Sequence, residues 1–383
     1  MTSTSAYPRL CPLSADPLAL PDADFLPLLE VLRGTQVVGL GEPTHGTHEA
    51  FVLKHRLLRL LADRGLLRVL AFECAAGPAE LIDAYVRHGE GDARTALLAQ
   101  EYWIWETAEV LAVIEWLSAY NARLPEAERV RFVGVDVQRP ARVAIRLAAL
   151  LLTHEPDLRL ALTCLAAEEL PATDAPELVD ALRALETSHP LAYIRHDARH
   201  LRRHAEVYLD ERNPEGLGRR DRFMAEMLLE ALTEEGLTVL WAHNEHVAVS
   251  EDFFGSPALG YVLREALGEG YLSLGMLFGE GELRAKSLTA PGGVLGRFRV
   301  EAPKAPFVEV EFLNENSAVF DLMGTATPPR LRRFLGTRYD EVAWRAQPEA
   351  FQVLRPLSDF DLLAWWPRTT AAAELPDERE CRV

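Results

Sequence analysis

Residues 35–49, TQVVGLGEPTHGTHE, decide the fold. The apolar run VVGL, residues 37–40, is too short for a helix and starts on β-branched residues, so it predicts a buried strand. It stops on Gly41 and Glu42, and a helical pattern from about Thr47 to Asp63, closed by Gly65, follows at once. A strand that ends in a polar loop and feeds a helix is half of a βαβ unit. Three further apolar runs end in the same way: VLAFE at Glu73, FVGVD at Asp136 and VLWAH at His243. In an open parallel sheet the ligand crevice lies beyond the carboxyl ends of the strands, so four separate stretches should deliver polar groups to one edge.

Outward from these runs, the pattern predicts helices near Ala79–Arg87, Ala108–Tyr120 and Tyr261–Leu267, and a strand at YLSLGMLF, residues 271–278. Residues 1–34 read as an irregular lead-in with a short helix at 25–32. Residues 140–237 lack a strand pattern and carry Leu, Ala, Arg and Glu at helical spacing. They predict a helical insertion covering the cleft, with the α/β core at 35–139 and 238–370 and a disordered tail at 371–383. Short strands are expected at FVEVEF (307–312) and SAVFDL (317–322), and a helix near 329–335. The fold class is therefore α/β: a central, mainly parallel sheet flanked by helices, with a large helical insertion.

Composition narrows the function. The chain has 383 residues, 49% hydrophobic, enough to bury a sizeable core. Its formal net charge of -18 and the absence of any Lys/Arg block argue against a nucleic-acid partner. No apolar run approaches the ~20 residues that span a bilayer, and the first residues have no signal-peptide pattern, so a cytoplasmic protein with no membrane partner is expected. Cys11, Cys74, Cys164 and Cys381 stand far apart, without metal-thiolate spacing.

The string GEPTHGTHE carries the most chemistry. Gly39 and Gly41 suit a tight turn, and Pro43 stiffens the loop that aims Glu42 and His45. With an ordinary pKa of ~6.5, His45 suits a general base, and Glu42 or Glu73 would orient its ring. WAHNEHV, residues 241–247, places His243 and His246 three apart on a turn or helix start, with Asn244 between them. Asp136 could orient either histidine or cap a helix. EYWIWET, residues 101–107, offers Tyr102, Trp103 and Trp105 as a pocket wall or as core. His196, His200 and His204 recur every four residues among arginines, the pattern of a solvated helix face. No GxSxG elbow occurs; YLSLG has Tyr271 where its first glycine would be.

Taken together, GEPTHGTHE, VLAFE, GVD, RRDRFM (219–224), WAHNEHV and ALGYVLREALGEGYLSLGM (258–276) resemble the erythromycin esterase family, in order across roughly residues 30–366. The resemblance implies an α/β sheet beside a helical lobe, and hydrolysis of a macrolide lactone by activated water without a serine intermediate, a metal or another cofactor. It makes His45 the general base and Glu42, Glu73, His243 and His246 its catalytic partners; Lys54, Glu49, Trp103, Trp105, Asp136 and Asn244 are the expected substrate-binding residues. Lys54 stands where some members have arginine. Glu245 stands where relatives have a small residue, and would favour protonation of the flanking histidines if it faced them. The expected partner is a small-molecule ester. The same Glu/His set would also serve as metal ligands, which keeps a metal-dependent hydrolase as the alternative, beside a binding or biosynthetic homologue that uses another ligand.

Overall fold

The structure is a computed structural model that describes residues 7–151, 155–209, 216–253 and 255–375. Its strands, in chain order, are β1 (Arg9–Pro12), β2 (Val37–Leu40), β3 (Leu67–Ala75), β4 (Arg131–Asp136), β5 (Leu237–Trp241), β6 (Tyr271–Lys286), β7 (Leu295–Val300), β8 (Ala318–Asp321), β9 (Arg330–Arg333), β10 (Gln352–Arg355) and β11 (Leu362–Thr369). All but β9 and β10 form one sheet in the order β1-β8-β11-β6-β2-β5-β3-β4, with β7 paired to the far half of β6. The six strands from β11 to β4 run parallel, and β8, β1 and β7 add antiparallel edges.

This order explains the site. After β2 the chain skips one place to lay down β3, and β5 later fills the gap. The loop after β5, with His243, therefore emerges between the loop after β2, with Glu42, and the end of β3, with Glu73. The central strands β2 and β5 are buried throughout, so their sequences are nearly continuous apolar runs with no alternation.

The helices are α1 (Leu26–Val31), α2 (His48–Asp63), α3 (Ala76–His88), α4 (Ala93–Leu98), α5 (Ala108–Asn121), α6 (Ala141–Leu150), α7 (Pro156–Ala166), α8 (Ala175–Ser188), α9 (Ala192–Tyr208), α10 (Gly216–Ala231), α11 (Asn244–Val247), α12 (Leu259–Leu267) and α13 (Glu341–Ala346). Residues of α2 and α5 pack on one face of the sheet; those of α10 and α12 pack on the other. Helices α6 to α9 bury a separate cluster around Leu147, Leu162, Leu182 and Leu201.

Several expectations change. The lead-in is not wholly irregular, because β1 pairs with β8 at the sheet edge. FVEVEF forms a 3₁₀ turn over Val308–Phe312, since Val308 and Phe312 bury together and Glu309 reaches Arg333. The helix expected near 329–335 is β9, paired antiparallel with β10. The strand at 271–278 runs on to Lys286 because β7 covers its second half. Residues 371–375, expected to be disordered, bridge Thr47 and Thr107 and donate the Ala373 N–H to Glu109; residues 376–383 and Cys381 lie outside the described residues. His200 and His204 are buried, so only His196 keeps the solvated position. Among the described residues no helix is long and apolar enough to cross a membrane.

Candidate active site

Gly39 and Gly41 serve the β2 exit by close approach and not by turning. A Cβ on Gly41 would strike Asn244 Oδ1, and one on Gly39 would strike the Tyr271 hydroxyl. Asn244 donates to the Met276 carbonyl at 2.7 Å and accepts from the Met276 N–H at 3.0 Å. It clips the loop after β5 onto β6 and does not line the cleft, so the expectation that it binds substrate is corrected.

Glu42 is fully buried, and each of its oxygens has a partner. Oε1 accepts from His45 Nδ1 at 2.6 Å and Oε2 accepts from Lys54 Nζ at 2.6 Å. A carboxylate only accepts, so His45 Nδ1 carries a proton and the opposite ring nitrogen, Nε2, points away from Glu42. Lys54 is also fully buried, donates to the Ala242 carbonyl at 3.2 Å and lies 4.6 Å from the Trp241 ring centre. Burial pushes its pKa down to about 8 although Glu42 pulls the other way. Lys54 braces Glu42 from behind and does not line the cleft, where the sequence suggested a substrate-binding residue.

His243 caps α11, and its Nδ1 accepts the Glu245 backbone N–H at 3.3 Å. Its proton therefore sits on Nε2, which is buried and without a hydrogen-bond partner. Burial, and next the adjoining His45 ring, hold its pKa well below the ordinary histidine value. The rings of His45 and His243 lie 5.1 Å apart, with His45 edge-on to Trp105 at 5.3 Å. Trp105 is core: it packs on Phe51 and Phe72 beneath His45.

His246 has the opposite electrostatics. Its Nδ1 is 2.9 Å from Asp221 Oδ2 and its Nε2 is 3.1 Å from Glu73 Oε1. Burial alone would lower its pKa, but these two carboxylates raise it to about 10, so it is an imidazolium. Glu73 also accepts the His243 backbone N–H at 2.8 Å and an Arg220 bond at 3.3 Å. Burial would raise the Glu73 pKa; His246, His45 and Arg220 together hold it well below the carboxylate range.

Asp136 does not orient either histidine. It grips Arg220 at 2.6 Å, and Arg220 in turn approaches His246 at 3.4 Å. Arg220 and Asp221 lie within RRDRFM, a string whose spacing alone gives neither residue a role. Glu245 faces away from its neighbouring histidines and forms a buried pair with Arg332 at 2.5 Å. Glu49 accepts from Thr369 Oγ1 and from the backbone and hydroxyl of Thr370; it ties α2 to the end of β11 and is not a cleft residue. Trp103 holds Arg284 through its carbonyl and ring, and Tyr102 is the aromatic of that stretch that lines the cleft.

The cleft has a volume of about 450 Å³. His45, Glu73, His243, His246 and Arg220 line its floor, and its far wall is Leu288 with residues of 334–351, Phe334 and Phe351 among them. The helical segment contributes Arg220 from α10, so the C-terminal residues, and not the insertion, supply most of that wall. Phe334 packs edge-on against His243 at 5.5 Å.

Comparison with known proteins bears on this geometry. An erythromycin esterase type II from Escherichia coli is 32% identical over 117 residues, 30% of this chain and 27% of that protein, so the alignment spans about a quarter of its length. A Bacillus cereus protein of solved structure shares the fold with a TM-score of 0.80 at 21% identity, covering 96% of each chain. An erythromycin esterase variant in its open conformation matches with a TM-score of 0.68 at 16% identity, covering 96% of this chain and 99% of that one. The family model for erythromycin esterase matches residues 67–369. With that model spanning most of its length, the chain belongs to the erythromycin esterase family.

Proposed function

We propose that the cleft hydrolyses a carboxylic ester or lactone by direct attack of water. The observation that carries this reading is the pairing of two imidazoles whose Nδ1 atoms are held by opposite partners, a carboxylate for His45 and a backbone N–H for His243, 5.1 Å apart ring to ring; in this reading His45 offers a lone pair at Nε2 and His243 an N–H at Nε2. Water bound at His45 gives it a proton as the water oxygen attacks the carbonyl carbon. The oxyanion that forms accepts from His243 Nε2–H, a donor that lacks a protein partner. Collapse of the tetrahedral intermediate breaks the C–O bond, and His45 returns its proton to the leaving alkoxide. Glu42, held by Lys54, stabilises the His45 imidazolium between these steps. The His246 imidazolium fixes Glu73, which holds the His243 backbone in place.

The metal-dependent alternative draws on the same residues. Glu42, Glu73 and His246 already have both of their donor atoms engaged by protein groups. Among the described residues no three His, Cys, Asp or Glu side chains are grouped to hold a metal ion. Donor occupancy therefore favours the water-activation reading.

The test is a panel of macrolides and simple esters assayed with wild type and His45→Ala, each with and without a chelator. Expected is hydrolysis of at least one ester, insensitive to the chelator and lost in His45→Ala. Full turnover in His45→Ala would remove the base, chelator-sensitive turnover would favour the metal reading, and binding without turnover would favour a non-hydrolytic homologue.

A further inference from the structure

A second chamber adjoins the cleft. It has a volume of about 320 Å³ and is walled by Pro140, Leu165, Leu170, Tyr208 and Leu209, with His204 at its side. Gln138 lines both spaces, so they adjoin across that one side chain. That side chain is held in place: Gln138 Nε2 donates to Asp136 Oδ2 at 2.8 Å and the same amide hydrogen-bonds Tyr208. Asp136 continues the chain to Arg220, and Arg220 to Glu73.

The chamber offers no free charge. His204 is buried, with Nδ1 on the Val137 carbonyl, and burial pushes its pKa down to about 4. The rim residues Arg139 and Glu168 pair with each other at 3.4 Å. Apart from that pair the lining is mainly aliphatic, with Pro140, Leu165, Leu170 and Leu209. A flexible hydrocarbon suits such a surface.

We propose that this chamber is a subsite for an apolar arm of the substrate, so that the protein prefers esters carrying a flexible hydrocarbon chain and Leu170 limits that chain's length. The proposal rests on the esterase reading of the cleft, and the test separates the two. Binding of primary n-alkyl amides, from acetamide to decanamide, is measured by calorimetry with wild type, Leu170→Trp and Leu170→Ala, alongside turnover of the matching nitrophenyl esters. For wild type, Kd should fall about four-fold per added methylene, the equivalent of ~0.8 kcal/mol, until the chamber is full. Leu170→Trp should bind the short amides as wild type does and lose the gain with length, whereas Leu170→Ala should keep the gain. Equal affinity for acetamide and decanamide in wild type, or an unchanged slope in Leu170→Trp, would overturn the subsite. Chain-dependent binding with no hydrolysis of any ester would support the chamber and sink the water-activation reading.

Discussion

His45 and His243 face each other across 5.1 Å with their inner nitrogens held by opposite kinds of partner, a carboxylate for one and a backbone N–H for the other. The asymmetry gives two imidazoles different tasks without any difference in residue type. His45→Ala should lower kcat by ~10²–10⁴ through loss of the base. His243→Leu should lower kcat by ~10²–10³ through loss of the oxyanion donor, with KM little changed. Steady-state kinetics on any hydrolysed ester checks both, and a wild-type kcat in His243→Leu would end the oxyanion role.

The parallel core and the convergence at its carboxyl edge were legible because the apolar runs of β2, β3, β4 and β5 lead into Gly41-Glu42, Glu73, Asp136 and Trp241-Ala242-His243, although β3 itself continues to Ala75. Strand ends carry their chemistry in the linear text. What each side chain grips does not. Lys54, Asn244 and Glu49 sit in strong motifs, yet they clip backbone and carboxylate groups together below the cleft. Conversely, Arg220 and Asp221 lie on α10, and only the tertiary packing of α10 against β4 brings them to Glu73 and His246. The wall at 334–351 was missed because β9 is rich in arginine, and a buried arginine is recognisable only by its partners: Glu245 for Arg332, Glu309 for Arg333.

The Asp221–His246–Glu73 clamp should appear in the pH dependence of stability. His246 titrates at about 10 in the folded protein, against ~6.5 when unfolded. Its contribution is complete below pH ~6.5 and is lost as the pH rises through about 10, at no more than ~1.4 kcal/mol per pH unit. Lys54 acts oppositely above about 8, because its folded pKa is depressed. Comparing wild type with Asp221→Asn cancels that term. Urea denaturation from pH 6 to 10 should show the stability gap between the two proteins narrowing as the pH rises; a constant gap would mean that His246 is not held as an imidazolium.

Glu245 and Arg332 form an ion pair buried to within 2% of full exclusion, and Arg332 keeps Nε and Nη1 without partners. Removing one member strands the other charge. Glu245→Ala should cost ~3–5 kcal/mol, while the double change Glu245→Ala with Arg332→Met should recover most of it, since a buried pair is often replaceable by apolar groups. A double-mutant cycle in urea measures the coupling. Strict additivity would show that the pair contributes nothing of its own.

Residues 370–375 have the composition of a loose tail, TAAAEL, but their backbone is used. The Thr370 N–H donates to Glu49 at 2.8 Å and the Ala373 N–H donates to Glu109 at 2.9 Å, and Glu109 also holds His48 Nδ1 at 2.6 Å. Both acids are buried, so cutting the chain after Thr369 would take the Thr370 donors from Glu49 and the Ala373 N–H from Glu109, at a cost on the order of 3 kcal/mol. His48 and Glu49 form the first turn of α2, three residues beyond His45, and the same helix carries Lys54. Loosening that turn should therefore relax the Glu42–Lys54 brace and lower kcat as well as stability. Glu49→Gln should give a smaller loss of the same kind, since it weakens two charge-assisted bonds from Thr370 without removing the segment. Denaturation midpoints and kcat measured for both variants decide this; a truncated protein with an unchanged midpoint and unchanged kcat would show that α2 is anchored without the segment.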